Sequence, residues 1–398
     1  MSGVKRLTSW FEAGALVRPS ADALNFADLS RAIASLAGVD GVEITPGVER
    51  LRASIGPAAH YIFVLIDGLG ADFLQKAPKG GFLRTHLATE LQAVFPPTTA
   101  AALTTLATTL WPAEHAVIGW WLYLAAPGLS ITPLPFVERF SKKPLADFGV
   151  APEEVFPMPG VWGRMRHSPA TIISAQLADS VYTRYASGGT PRIGYEHTAE
   201  AFEAARNRVA EASGRTLTYL YLPQVDSLMH ERGTTGRGVA KLIADVDGHL
   251  ANLAAELKGK ARIIVTADHG QVDIPKERVF IVKAGDALSD CLVAPPSGEP
   301  TVPVFHVKRG RRREFRRLFE GRLGEYFALI LPEDAERLSL FGPSKLSGLA
   351  RQRLGSYLAI ASPPSALYYD APGAPPVIHV GVHAGLSSAE MRIPLVLA

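Results

Sequence analysis

Cysteine is nearly missing. Cys291 is the only one in 398 residues, so no internal disulfide can form. Long apolar runs are missing too. No stretch reaches the ~18 apolar residues that a membrane-spanning helix needs. The first residues, MSGVKRLTSWFEAGALVRPSADALNF, hold no apolar centre of signal-peptide length. A cytoplasmic protein with no membrane partner is therefore the expectation. An excess of one charge is also lacking: Lys and Arg total 41 against 38 Asp and Glu, a net charge of +3. No basic stripe accompanies it, so nucleic acid is not an expected partner. The one basic cluster, Lys308-Arg309-Gly310-Arg311-Arg312-Arg313 with Arg316 and Arg317, reads as a solvated turn and helix start. Core material is plentiful. Hydrophobic residues make up 47% of the chain, enough for one large α/β domain or two ordinary ones.

Six short runs predict strands: Tyr61–Ile66, Thr171–Ala175, Leu217–Leu222, Ala261–Thr266, Val279–Val282 and Ile393–Leu397. None alternates cleanly, which predicts burial on both faces. Helix-like stretches lie between them at Ala100–Leu110, Thr198–Ala212 and Gly238–Leu257. Strand–helix alternation predicts an α/β fold, a mostly parallel sheet with helices on both faces. Two regions break the rhythm. Residues 121–165 are rich in Pro, Leu and aromatics without a period. Residues 285–375, with a charged helix at Arg311–Leu323, read as an insertion before the last strand of a single domain.

In open parallel sheets the ligand crevice lies at the carboxyl ends of the strands. Asp67 follows YIFVLI. Asp226 follows LTYLYL after three residues, and His230 comes four later. Asp268 and His269 follow RIIVT. One aspartate after a strand is an ordinary turn former. Three, two of them with a histidine nearby, point to metal binding. Mixed Asp and His donors suit zinc or manganese, whereas magnesium and calcium prefer oxygen alone. Asp226 and His230 share one face of a helical turn. Asp268 and His269 need a bent loop to reach one centre. His383, in GVHAGLSSAEMRIPLVL, supplies a further histidine. Thr98 and Thr99, in FPPTTAAALTTLATTLWPAEH, supply hydroxyls at a helix start, where free N–H groups hold anions.

These stretches together resemble the alkaline phosphatase superfamily, most of all its type I phosphodiesterase/nucleotide pyrophosphatase family. The resemblance rests on VLIDG, FPPTTAAALTTLATTLWPAEH, YLPQVDSLMHERG, TADHGQ and HAGLSSAEMRIPLVL, in the family's order. It implies an alkaline-phosphatase-like three-layer sandwich and a two-metal phosphoryl-transfer hydrolase acting on a small phosphorylated substrate. The family's nucleophilic threonine falls on Thr99. The resemblance assigns Asp226, His230 and His383 to one divalent ion, and Asp67, Asp268, His269 and Thr99 to another. Zinc is the expected ion and manganese the alternative. A phosphomonoesterase, a phosphonate hydrolase and a non-catalytic binding protein of this fold are the alternative functions.

Two positions depart from the family pattern. An aromatic after the nucleophile is Ala100 here, and a phosphate-binding asparagine is Ala102. Trp120 and Trp121, with Tyr123, offer a different substrate wall; ordinary packing is the alternative. His115, His249, His306 and His379 are expected to be packed or solvated. Thr104, Thr105, Thr108 and Thr109 are expected to bond back to the helix backbone. Cys291 lacks the Pro and Arg spacing of a sulfatase site, and no signature selects a phosphosugar mutase.

Overall fold

The computed structural model describes residues 2–398. Its centre is a seven-stranded sheet built from β1 His60–Ile66, β2 Leu87–Gln92, β3 Ser168–Ser174, β4 Arg192–Tyr195, β5 Thr216–Leu222, β6 Ala261–Thr266 and β7 Arg392–Leu397. The strand order is β2-β7-β6-β1-β5-β3-β4. β1 pairs in parallel with both β5 and β6, and β3 with both β4 and β5. Only β7 runs the other way, antiparallel to β6 and β2. Helices cover both faces, so the three-layer α/β expectation holds. Every residue of β5 and all but the first of β1 are buried, as an inner strand of such a sheet requires.

Four helices matter for the site: α1 Thr99–Thr108, α2 Val181–Ser187, α3 Gln224–Arg232 and α4 Arg237–Glu256. α1 has Thr98 as N-cap and ends at Thr109, which takes a left-handed conformation at φ 63. Thr104 and Thr108 bond back to the carbonyls of Ala100 and Thr104, as expected. Thr105 does not. It pairs with Nε2 of buried His115 at 3.0 Å.

One predicted strand leaves the sheet. Val279–Lys283 pairs in parallel with Ala366–Asp370 in a separate two-stranded sheet, and only Val282 is buried. The reason is topological: β6 is already flanked by β1 and β7, so the chain leaving it has no free edge to join. The aperiodic region 121–165 contains a small antiparallel sheet of Leu122–Leu124, Leu129–Thr132 and Val137–Glu138. Residues 285–375 carry a four-stranded antiparallel sheet with Arg312–Leu323 packed on it. Phe305, Phe315, Phe319, Leu323 and Phe327 form its own core. The two regions meet where Trp121 and Gly298 exchange backbone hydrogen bonds of 3.0 and 2.7 Å. Among the described residues no helix is long and apolar enough to cross a membrane.

Candidate metal centre

Asp67 is the first residue beyond β1, and its N–H donates to Leu222 O of neighbouring β5 at 3.0 Å. Gly68 then turns the chain at φ +75. A Cβ there would lie 3.1 Å from both Cα and Cβ of Asp226, so glycine lets the two strand-end loops touch. Asp226 and His230 both lie on α3, and His230 Nε2 reaches Asp226 Oδ1 at 3.3 Å. Asp268 and His269 sit in the loop after β6. Their loop passes so close to Ala389 that a Cβ on Gly270 would fall 1.9 Å from its carbonyl oxygen. His383 follows the short strand Gly381–Val382, which pairs with Val272–Asp273 beside α3. The next residue, Ala384, holds φ 89, a strained value for alanine that fixes the turn presenting His383.

These residues converge. Thr99 Oγ1 lies 3.2 Å from His269 Nε2 and 3.4 Å from each oxygen of Asp67. His269 Nε2 is 3.3 Å from Asp67 Oδ1 and 3.4 Å from Asp268 Oδ2. His383 Nε2 is 3.9 Å from Asp226 Oδ1, and its ring stacks on that of His269 at 3.8 Å. Two donor groups result, Asp67–Asp268–His269 and Asp226–His269–His383, each with its atoms within 4.8 Å. The expected division placed His269 with Asp67, Asp268 and Thr99, and His230 with Asp226 and His383; here His269 also lies beside Asp226 and His383, while His230 is in neither donor group and, of the acids, touches only Asp226, at 3.3 Å.

The electrostatics are those of a cation site. Two buried carboxylates, Asp67 and Asp268, and the partly buried Asp226 face one another. Burial, then the charges of Asp268 and Asp226, push Asp67 well above the usual carboxylate range. Burial likewise pushes Asp226 up to about 7. Burial and the neighbouring rings of His269 and His230 hold His383 well below its ordinary value, so it is neutral. Each histidine directs Nδ1 at a backbone carbonyl: His230 at Gly381 (2.7 Å), His269 at Gly270 (3.1 Å) and His383 at Pro97 (3.1 Å). That places a proton on Nδ1 and turns Nε2 toward the acids. Asp268 Oδ2 is buried with no hydrogen-bond donor. Carboxylates and imidazole nitrogens gathered this closely fit divalent cations, and the mixed N/O set fits zinc or manganese.

Residues 61–288 match the family described as type I phosphodiesterase / nucleotide pyrophosphatase. The chain belongs to that family. Murine ectonucleotide pyrophosphatase/phosphodiesterase 5 superposes with a TM-score of 0.64 at 18% identity, over 84% of this chain and 87% of that one. Phosphonoacetate hydrolase from Sinorhizobium meliloti 1021 gives 0.61 at 16% identity, over 85% and 89%. Both likenesses are of fold. A curated phosphopentomutase from Shewanella frigidimarina is 25% identical over 172 residues, which is 42% of this chain and 40% of the mutase. The chain thus spans less than half of that relative's length.

The sequence did not single out the groups that hold the family's acids in place. The Tyr221 hydroxyl donates to Asp67 Oδ2, and the Gln271 amide donates to Asp226 Oδ1. Tyr221 sits inside an apolar strand run, so nothing marked it. Glu299 was missed as well. It is fully buried, accepts from Trp120 N–H at 2.6 Å, and is pushed up to about 8 by burial. The buried Thr98 hydroxyl approaches its carboxylate without meeting hydrogen-bond geometry. Trp120 and Trp121 are half-buried and line a cavity that opens onto Thr99. Trp121 carries the Arg139 guanidinium over its ring at 3.7 Å. His379 lies against His230 with ring centres 4.4 Å apart and planes tilted by 44°, and burial lowers it to about 4, but it belongs to neither donor group. His115 and His306 are packed, and His249 stacks on Phe202.

Proposed function

We propose that this family member is a metal-dependent phosphoryl-transfer hydrolase of the phosphodiesterase/pyrophosphatase type, acting on a small phosphorylated substrate through Thr99. The observation that carries the reading is the Thr99 hydroxyl, held between Asp67 and His269 at the N-terminus of α1 and facing a cavity. Asp226, His230 and His383 would hold one divalent ion, and Asp67, Asp268, His269 and Thr99 a second. Zinc is the ion we assign, with manganese as the alternative. Such a pair supplies positive charge at the phosphoryl oxygens and lowers the proton affinity of a bound hydroxyl.

The chain's own part follows from its geometry. The first N–H groups of α1 have no intrahelical partner and receive a phosphoryl oxygen. Thr99 Oγ forms the bond to phosphorus as the ester P–O bond breaks, and the leaving alcohol takes up a proton. Water then cleaves the Thr99–phosphorus bond and restores the hydroxyl. Support comes from the murine relative, whose inactive threonine-to-alanine form is described in complex with AMP. We treat residues 285–375 as a lobe inserted into one catalytic domain, contributing Glu299 to the roof of the site.

The test is turnover of bis-p-nitrophenyl phosphate against p-nitrophenyl phosphate by zinc-loaded protein. A preference for the diester is expected. Preference for the monoester moves the assignment to a phosphomonoesterase, and inactivity on both with full metal content rejects the hydrolase.

A further inference from the structure

The cavity that begins at Thr99 extends away from the acids as a space of about 480 Å³, within the range of small-molecule sites. Leu103, Leu106 and Ala107 of α1 form one wall, and Trp162, Tyr182 and Ile173 another. We infer that the group the substrate carries beside its phosphoryl centre is uncharged and carbon-rich, an alkyl or aryl group rather than a nucleoside or a second phosphate. This rests on the phosphoryl-transfer reading, because the cavity is continuous with Thr99 and Asp67.

Three observations lead there. No Lys or Arg lines the cavity, so a second phosphate would be buried without a counter-charge. The guanidinium against the lining residue Trp121, that of Arg139, is already engaged by that ring and by the Pro296 carbonyl at 2.6 Å. The lining hydroxyls are mostly spent within the protein. Ser180 donates to Thr183 at 2.9 Å, Ser187 to the Arg184 carbonyl at 3.2 Å, Ser227 to the Pro223 carbonyl at 3.1 Å, and Tyr221 to Asp67. Tyr182 meets only Thr104, at 3.5 Å. Thr171, Tyr219 and the donor of Thr183 remain, and the Tyr219 hydroxyl is buried without a partner. These few separate hydroxyls do not match the several donors and acceptors of a nucleobase, whose unpaired polar atoms would oppose binding. They suit a group with few oxygens. Finally, Ala100 stands where the family's aromatic follows the nucleophile, so no ring is offered there for a base to stack on.

Two measurements on the zinc-loaded protein test this. The first is kcat/KM for alkyl p-nitrophenyl phosphodiesters from methyl to octyl, with the thymidine 5′-ester alongside. Each added methylene should raise kcat/KM roughly fourfold until the cavity fills, and the thymidine ester should do no better than the methyl ester. A flat series, or preference for thymidine, overturns the inference while leaving the hydrolase reading intact. The second is calorimetric binding of linear alkylphosphonates, with affinity and a negative heat-capacity change both growing with chain length. This arm needs no turnover. If no ester is hydrolysed, the hydrolase reading fails, and length-independent phosphonate binding separately overturns the cavity assignment. Leu177→Arg places a charge on a half-buried rim position and should cut the octyl-to-methyl ratio at least about tenfold. An unchanged ratio in a folded variant also counts against the inference.

Discussion

The Thr99 hydroxyl stands 3.2 Å from Nε2 of His269, although 170 residues separate them in the chain. A helix start and a loop after β6 meet at that point. The pair identifies which of two adjacent threonines faces the acids, since Thr98 is the N-cap and turns its hydroxyl toward Glu299 instead. Thr99→Ala should lower turnover by roughly a thousandfold or more while bound metal stays mostly intact. Thr98→Ala should keep most of its activity. Steady-state rates and metal content of the two variants check this, and a dead Thr98→Ala beside an active Thr99→Ala would assign the nucleophile to the wrong residue.

Metal loading should release protons. Without cations, burial holds Asp226 at about 7, so it is mostly protonated at pH 6.5, and burial raises Asp67 in the same direction. A bound cation must displace that proton. About one proton or more should appear per chain loaded at pH 6.5. Apparent affinity should rise with pH by about tenfold per unit for each proton released. Calorimetric titration in buffers of different ionisation enthalpy measures the count. No release would place these carboxylates outside the metal-binding set.

Tyr221→Phe removes the hydroxyl that fixes Asp67 Oδ2 and leaves a ring of the same shape. Metal affinity should fall roughly 10–100-fold, as for other partners of metal-binding side chains. The melting temperature of the metal-free protein should change little. Competition with a chromophoric chelator reads the affinity.

His115 should make the protein acid-labile. Burial, and next the charge of Arg353, lower it from 6.5 to about 3. Its Nδ1 accepts from Val117 N–H at 3.1 Å, so the fold requires the neutral ring. A base whose value is lowered on folding is protonated more readily when unfolded. Its contribution is therefore full above pH 6.5 and lost as pH falls toward 3, by up to ~1.4 kcal/mol per unit. Other buried histidines act in the same direction, so the difference between wild type and His115→Gln isolates this one. Urea unfolding should show that difference shrinking by about 3 kcal/mol between pH 7 and pH 4.5. A pH-independent difference would rule out the role.

Much of the site could be read from local sequence because its donors obey local rules. An acid after a buried strand lies at the sheet's carboxyl edge, and an Asp and a His four apart share a helix face. Asp67, Asp226, His230, Asp268, His269 and His383 do meet. The fold class followed equally from strand–helix alternation. Strand pairing was less local. Val279–Val282 has the composition of a strand, but it left the central sheet because β6 had no free flank. Residues 121–165 form short strands that lack the length to show a period.

The sequence by itself determined which side chains could bind cations; the structure begins α1 at Thr99, one residue before the expected Ala100. Only the tertiary structure decided what surrounds them. Tyr221 reaches Asp67 across 154 positions, and His383 reaches the Pro97 carbonyl across 286. The apolar cavity is shared by α1, α2, β3 and β5, and Glu299 reaches it from more than 70 residues beyond β5 in the chain. A side chain's chemistry is fixed by its type. Its protonation, its partners and the space in front of it depend on segments that only folding brings near.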